Sequence, residues 1–179
     1  MKISEIMYRP GSAGSDLEFI ELQNTSGRQI DISEWMITGG VNYVFPRGTL
    51  VPEDGMVVVV RDRDAFLAQY PGADKLAVIL GDFQGSLDNS GDELRLLDAG
   101  PGYPATIDYV KYEDGGAWPE VRAGYSIELS EVTANLDNDF GDRWSVSTER
   151  HGSPGGAIAV QGPEFIRGDF NGDTSVNLS

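Results

Sequence analysis

Short apolar runs separated by turn residues follow one another along most of the chain. Apolar positions alternate with polar or mixed ones at residues 30–32, 94–96, 107–112 and 126–130. This alternation is typical of a strand with one buried face. Turn residues stand between the runs, as in Pro52-Glu53-Asp54-Gly55 and Asn89-Ser90-Gly91. Roughly nine or more short strands with frequent turns predict an all-β sandwich or barrel rather than an α/β fold.

Two apolar runs do not alternate, namely Met56-Val57-Val58-Val59-Val60 and Leu76-Ala77-Val78-Ile79-Leu80. Continuous runs of this length predict strands that are covered on both faces or lie in the middle of a sheet. One short helix is predicted between Asp64 and Tyr70. Asp64 is the expected N-cap, Phe66 and Tyr70 are four residues apart, and Pro71-Gly72 ends the helix.

Composition excludes several classes of protein. The chain has 13 Lys and Arg against 29 Asp and Glu, a formal net charge of −16. Such a charge repels phosphate backbones and anionic lipids, so we expect neither nucleic acid nor a membrane as partner. Cysteine is absent, which excludes disulfides and thiolate metal sites. No apolar run approaches the ~20 residues that a membrane-spanning helix needs.

A series of short motifs occurs in a fixed order. The series begins with Ile3-Ser4-Glu5-Ile6-Met7-Tyr8-Arg9-Pro10, Glu18-Phe19-Ile20-Glu21-Leu22-Gln23-Asn24 and Ile30-Asp31-Ile32-Ser33-Glu34-Trp35, and continues through Phe45-Pro46-Arg47-Gly48-Thr49-Leu50 and Gly81-Asp82-Phe83-Gln84-Gly85-Ser86-Leu87-Asp88-Asn89-Ser90-Gly91-Asp92-Glu93-Leu94. It closes on Ile107-Asp108-Tyr109-Val110, Trp118-Pro119, Ser126-Ile127-Glu128-Leu129 and Trp144 through Gly152-Ser153-Pro154-Gly155. Together these motifs resemble the lamin tail domain family, and the resemblance covers roughly residues 2–155.

The resemblance implies an immunoglobulin-like β-sandwich over residues 1–155 that carries no catalytic residues. It also implies the bacterial use of this fold, as an accessory module of a large exported or cell-surface protein that binds protein partners or acts as a spacer. Met1 leads directly into strand-like residues, so we expect the export signal to lie outside this chain.

Several matching residues have expected structural roles. Trp35 and Trp144 are predicted core aromatics because their neighbours are strand-like. Glu21 is expected to face solvent or satisfy a turn. Gly85 and Gly91 are expected to provide turn conformations that other residues adopt poorly.

The end of the chain carries a calcium-loop pattern. Residues 156–166 are predicted to be a linker and residues 167–179 a truncated, disordered loop. Ca²⁺ favours six to eight oxygen ligands, which alternate side chains on a tight loop can supply. The predicted ligands, Ser175 by its carbonyl oxygen and the others by side chains, are Asp169, Asn171, Asp173, Ser175 and Asn177.

This loop resembles the opening of a dockerin repeat, a module that binds a cohesin. Thr174 stands where the loop type favours Gly, and the chain ends before the last acidic ligand. We therefore expect calcium in the intact parent protein and none bound by this chain. A second acidic run, residues 137–142, fits no metal template and is interpreted as surface solvation.

An enzyme is not predicted. The single histidine, His151, is expected at the surface of a Gly/Pro-rich segment, and no Gly-x-Ser-x-Gly motif accompanies it. One His without Cys cannot build a zinc site. Carboxylate pairs suit glycoside hydrolysis by residue type, but 29 acidic residues produce such pairs by chance.

Two alternatives to a protein-binding or spacer role remain open. Tyr103, Trp118 and Tyr125 stand in Gly/Pro-rich segments, where their rings could stack on sugars in a carbohydrate-binding module. Buried rings that cover the end of the core are the competing interpretation. The third hypothesis makes the chain part of a calcium-dependent dockerin–cohesin assembly.

Overall fold

A computed structural model describes residues 1–11 and 14–156 of the chain. Its only α-helix within these residues is α1 (Arg63–Gln69), and short 3-10 helices occur at Ser15–Leu17, Ala73–Lys75, Gly141–Arg143 and Pro154–Gly156. The strands are β1 (Lys2–Met7), β2 (Phe19–Gln23), β3 (Ile30–Asp31), β4 (Met36–Gly39), β5 (Val41–Val44), β6 (Leu50–Val51), β7 (Met56–Val60), β8 (Val78–Leu80), β9 (Gln84–Gly85), β10 (Gly91–Leu97), β11 (Thr106–Glu113), β12 (Ile127–Leu129) and β13 (Trp144–Val146).

The strands form two main sheets. The first has the order β13-β12-β1-β2-β7-β8, and the second has the order β11-β10-β4-β5-β9. Neighbours are antiparallel except for β7 and β8, which are parallel. A separate pair, β3 and β6, lies beside them. This arrangement confirms the predicted all-β, immunoglobulin-like sandwich.

The core lies between the two sheets. Alternate residues of most strands contribute to it, as the period of two in a strand predicts. Its fully buried members include Ile20, Leu22, Val57 and Val59 from the first sheet and Ile37, Leu94, Leu96 and Val110 from the second. Trp144 is buried in this core as predicted, and Trp35 packs against it half-buried.

A second apolar cluster covers the outer face of the first sheet. Val58 and Val60 of β7 and Phe19 of β2 pack there against Phe66 and Tyr70 of the helical segment. The Phe19 ring meets the Phe66 ring edge-on at 5.8 Å between centroids. The continuous valine run of β7 is therefore buried on both faces, which confirms the prediction from its lack of alternation.

The predicted helix is confirmed, but its N-cap is Asp62 and not Asp64. The Asp62 side chain accepts a hydrogen bond from the backbone N–H of Ala65 at 2.9 Å. Asp64 lies in the first turn of α1, where an acidic side chain is favourable near the helix N-terminus. The sequence offers an aspartate at both positions, and the short connection from β7 makes the helix begin at the earlier one.

The apolar run at residues 76–80 behaves differently from β7. Ile79 is buried in the outer cluster, while Val78 and Leu80 pack half-buried against the core. However, β8 is the edge strand of its sheet, and Leu76 precedes it with 57% of its surface exposed. Of the two predicted alternatives, coverage on both faces is therefore met in part, whereas a position in the middle of the sheet is wrong.

Strand β1 contains a bulge that sets which side chains face outward. Ile3 pairs with Leu22 and Glu5 pairs with Glu21, so Ser4 is the extra residue. A bulge shifts the alternation of the residues that follow it. Ile3 and Ile6, three apart, therefore both face the core, while Glu5 lies on the outer face.

The last strands of the described region extend this same sheet. β12 pairs with β1, and β13 pairs with β12. The chain beyond β11 thus returns to the N-terminal strand. Gly85 and Gly91 have φ angles of 101° and 136°, which confirms the special turn conformations predicted for them.

Candidate functional site

Tyr103 is the most exposed large hydrophobic side chain among the described residues, at 99% of its surface. It lies in the turn between β10 and β11. Asp98 holds this turn, because its Oδ1 accepts hydrogen bonds from the N–H groups of Gly100 and Ala105 at 3.1 and 2.7 Å. The Asp98 N–H also donates to the Ala105 carbonyl oxygen at 3.0 Å. The turn therefore presents an aromatic ring on a hydrogen-bonded support.

The other two predicted ligand-binding rings have different surroundings. Trp118 is half-buried and packs against the Trp144 ring at 5.9 Å between centroids. Tyr125 is also half-buried against the core and lies beside Glu120, Arg122 and Val146 at a shallow depression. Ring contacts in the described part of the chain do not join Tyr103, Trp118 and Tyr125 to one another.

The acidic run at residues 137–142 has a structural role, so its interpretation as surface solvation needs correction. Asn138 is buried, and its amide donates to the Asp108 Oδ2 and the Ile3 carbonyl oxygen at 2.8 and 3.2 Å. Its own carbonyl oxygen accepts from the Trp144 indole N–H at 2.8 Å. Asp139 accepts from the backbone N–H of Lys111 at 2.6 Å. The run therefore connects β1, β11 and β13.

Buried carboxylates in other regions also hold backbone segments together. Asp108 accepts from the Ile3 N–H at 2.7 Å and pairs with the Lys2 ammonium at 2.9 Å. Glu18 accepts from the Leu87 N–H at 3.0 Å, which ties the residues before β10 to β2. Because these groups are engaged in holding the fold, they are poor candidates for catalysis.

The largest set of buried acids lies on the outer face of the first sheet. Glu21, Glu5 and Glu128 are register neighbours on β2, β1 and β12, and they form what we call the carboxyl row. Glu5 and Glu21 are only 3% and 6% exposed, and Glu128 is half-buried. Like charges directly opposite one another destabilise a sheet, so such a row is unfavourable when it is fully ionised.

Residues 152–155, which we call the docked segment, cover the carboxyl row. The N–H of Ser153 donates to Glu5 Oε1 at 3.1 Å, and the N–H of Gly155 donates to Glu21 Oε2 at 2.5 Å. The Ser153 hydroxyl donates to Glu128 Oε1 at 3.3 Å. Each carboxyl of the row thus receives one hydrogen bond from the docked segment.

Serines of the sheet complete the environment of the row. The Ser126 hydroxyl donates to Glu5 Oε1 at 2.6 Å, and the Ser4 hydroxyl donates to Glu21 Oε1 at 2.7 Å. Glu21 was expected to face solvent or satisfy a turn. The structure instead buries it beneath the docked segment, because β2 lies in the interior of the sheet and its outer face is covered.

Burial raises the pKa of all three carboxyls. For Glu5 it raises the pKa from 4.5 to about 8, opposed by hydrogen bonds from Ser126 and Ser153 and reinforced by the charges of Glu21 and Glu128. Burial likewise raises the pKa of Glu21 and of Glu128. Glu5 is therefore largely protonated at neutral pH in the folded protein.

His151 precedes the docked segment and is half-buried rather than at the surface, which corrects the prediction. Its N–H donates to the Gly124 carbonyl oxygen at 2.5 Å, and its carbonyl oxygen accepts from the Tyr70 hydroxyl at 2.5 Å. These bonds hold its backbone at a φ of 71°. Burial, reinforced by the nearby charge of Arg150, lowers the pKa of the imidazole. Its Nδ1 is buried without a hydrogen-bond partner among the described residues.

The described residues contain no group of three or more His, Cys, Asp or Glu side chains arranged to hold a metal ion. The predicted calcium ligands Asp169, Asn171, Asp173, Ser175 and Asn177 lie outside the described residues, as do residues 157–166 of the predicted linker. Within residues 1–11 and 14–156, helices are too short and too polar to cross a membrane.

The carboxyl row is the feature that sequence reasoning missed. Glu5, Glu21 and Glu128 each stand one residue from a core position, so alternation places them on the opposite face. Their burial follows from the interior position of β1 and β2 in the sheet, which the sequence pattern alone does not reveal.

Comparison with known families agrees with the fold. The model of the Lamin Tail Domain family matches residues 1–114. A comparison with curated proteins found no match. The Lamin Tail Domain is an immunoglobulin-like, non-catalytic type of module. Because the match covers more than half of the chain, this protein belongs to the lamin tail domain family.

Proposed function

We propose that the chain is a non-catalytic interaction module of a larger exported bacterial protein, acting outside the cell or at its surface. It binds a protein partner or separates neighbouring domains as a spacer. The family membership supports the non-catalytic role. The observation that carries the binding role is Tyr103, an aromatic side chain that is 99% exposed on a supported turn.

The support of the turn matters for binding. Aromatic residues are frequent among the side chains that dominate binding energies at protein interfaces. A side chain on a turn that is already ordered loses less conformational entropy when a partner binds. The three hydrogen bonds between Asp98 and the Gly100 and Ala105 backbone supply this order.

The net charge of −16 narrows the choice of partner. An acidic surface accelerates association with a basic one and disfavours acidic partners. The proposed partner is therefore a protein with a basic surface that surrounds an apolar pocket for the Tyr103 ring.

Site-specific photocrosslinking tests this role. A photoreactive phenylalanine analogue replaces Tyr103 in the intact parent protein, displayed by the cells that produce it. The expected product is a protein adduct of discrete mass. The same analogue at Glu53, an exposed position in the turn before β7, is the control and is expected to give no such adduct. Equal yields at both positions would argue against a binding role for the turn.

A carbohydrate-binding role is the second candidate, and the exposed Tyr103 ring is again what favours it. Retention on insoluble polysaccharide that is lost in Tyr103→Ala would support it. Trp118→Ala and Tyr125→Ala probe the two half-buried rings in the same assay. If none of the three substitutions changes retention on the polysaccharide, these rings do not bind it.

A calcium-dependent assembly through a dockerin–cohesin contact is the third candidate, favoured by the alternation of Asp169, Asn171 and Asp173. In this proposal the intact parent protein binds Ca²⁺ through this loop and then binds a cohesin. Cohesin binding by the parent that persists in chelator, or in Asp169→Ala, would contradict it.

A further inference from the structure

The contacts that hold the docked segment on the carboxyl row do not neutralise its charge. The segment carries no positive charge to offset the carboxyl row, and its contacts are two backbone N–H groups and one hydroxyl. Among the described residues, no salt bridge joins a cation to Glu5, Glu21 or Glu128. The row must therefore reduce its own charge by retaining protons.

The fit between the segment and the row is close. Gly152 has a φ of 75°, and a Cβ at this position would collide with Glu5 Oε1 and lie 2.6 Å from the Ser126 hydroxyl. Gly152, Pro154 and Gly155 are buried. The backbone of the docked segment therefore forms the cover that separates Glu5 from solvent.

Titratable and charged groups from several elements surround the carboxyl row. Glu21 faces Glu5 from β2, Glu128 faces it from β12, and Tyr70 interacts with it from the C-terminal end of α1. Glu149, after β13, adds negative charge near Glu128. His151 and Arg150 adjoin the segment, and burial together with the charge of Arg150 lowers the pKa of His151. These neighbours do not provide a cation that pairs with the row.

We propose that residues 152–155 are a pH-sensitive clasp, closed on the sheet while the carboxyl row is protonated and released as the row ionises. This device goes beyond the proposed binding function and does not depend on it. Release exposes Glu5 and Glu21, which the closed segment buries.

The direction of the effect follows from linkage. Glu5 has a pKa of about 8 when the clasp is closed, and it returns towards its ordinary 4.5 when the clasp opens to water. The opening equilibrium constant therefore rises by up to about tenfold per pH unit between about pH 4.5 and 8, and levels off above that range. Glu21 and Glu128, with raised pKa values, act in the same direction.

Residue-resolved amide hydrogen exchange on the full chain tests the clasp. Protection factors of the Ser153 and Gly155 amides, corrected for intrinsic exchange, are measured by NMR from pH 5 to 8. They are expected to fall by up to about tenfold per pH unit. Strand amides of β4 and β10, in the other sheet, report global unfolding and are expected to stay better protected at each pH.

Two variants isolate the role of Glu5. Glu5→Gln keeps the size of the side chain without its charge and is expected to reduce the pH dependence of the Ser153 and Gly155 amides, leaving the part that is due to Glu21 and Glu128. Glu53→Gln removes one exposed charge elsewhere and is expected to leave that dependence unchanged. If Glu5→Gln does not fold, the wild-type chain still tests the clasp, through the comparison of the Ser153 and Gly155 amides with the amides of β4 and β10. Protection at Ser153 and Gly155 that ignores pH, or that equals the protection of β4 and β10, would overturn the clasp.

Discussion

Two neighbouring rows of side chains on the outer face of the first sheet are buried in opposite ways. Met7, Phe19 and Val60 form an apolar row, and their cluster is covered by the aromatic side chains of the helical segment. The next row is the carboxyl row of Glu21, Glu5 and Glu128, which lies beneath residues 152–155. In both rows, the alternation along each strand places the side chains on the outer face.

The difference lies in what each cover supplies. The apolar row is stabilised by burial of surface, which depends little on pH or on the direction of the contacting groups. The carboxyl row is stabilised only if hydrogen bonds and protons offset the removal of its charges from water. One half of the face therefore gives constant stability, and the other half gives stability that varies with pH.

The largest expected effect is on the apolar row. Phe66→Ala removes a fully buried ring that meets Phe19 and Tyr70, and we expect the free energy of unfolding to fall by about 3–5 kcal/mol. Urea denaturation at pH 5 and 8 should give similar losses. Phe140→Ala, at a ring that is 54% exposed, is the matched control and should cost well under 1 kcal/mol.

The next effect concerns the pH dependence of the carboxyl row. The folded-state pKa of Glu5, about 8, lies above its ordinary 4.5, so its stabilising effect is complete below about pH 4.5 and is lost as the pH rises through 8. Over this window the free energy of unfolding should fall by about 1.4 kcal/mol per pH unit from Glu5 alone. Urea denaturation across pH 5–8 measures the slope. A slope that Glu5→Gln and Glu53→Gln reduce equally would show a general charge effect instead.

A smaller effect is expected from the cover itself. Gly152→Ala combines an unfavourable φ of 75° with the collision at Glu5, and should cost about 2–3 kcal/mol. Gly116→Ala has a similar φ of 71° with no atom within 4 Å of the added Cβ, and should cost only about 1 kcal/mol. Equal losses in thermal unfolding would mean that the docked segment tolerates the added methyl group.

The smallest effect tests the start of α1, which covers the apolar row. Asp62→Ala removes the side-chain hydrogen bond to the Ala65 N–H and should cost about 1 kcal/mol. Asp64→Ala removes only a charge in the first turn and should cost about 0.3–0.5 kcal/mol. The reverse order in urea denaturation would restore Asp64 as the cap.

The sequence predicted those features that depend on local pattern. The uninterrupted valines of β7 correctly indicated burial on both faces, because a strand with two dry faces has no polar alternation. The similar run at residues 76–80 did not indicate an edge strand, since edge position depends on pairing between distant segments. The fold and the family could also be predicted from the sequence, because many short local patterns in a fixed order identify them jointly.

The carboxyl row could not be predicted from local sequence patterns. Glu21 alternates with Ile20 and Leu22 as a solvent-facing residue would. Its burial results from residues 152–155, more than 130 positions later, and from the bulge at Ser4 that brings Glu5 alongside it. Other long-range contacts hold His151 and Asn138, which bond to Tyr70 just after α1 and to Asp108 of β11, respectively.

The protonation state of Glu5 decides whether the outer face of the first sheet responds to pH. A ¹³C NMR titration of the side-chain carboxyl of Glu5 in the folded full chain reports its pKa without a variant. The expected midpoint lies near pH 8. A Glu5 midpoint near 4.5 would show that the row is ionised at neutral pH, and the pH-dependent half of the outer face would not exist.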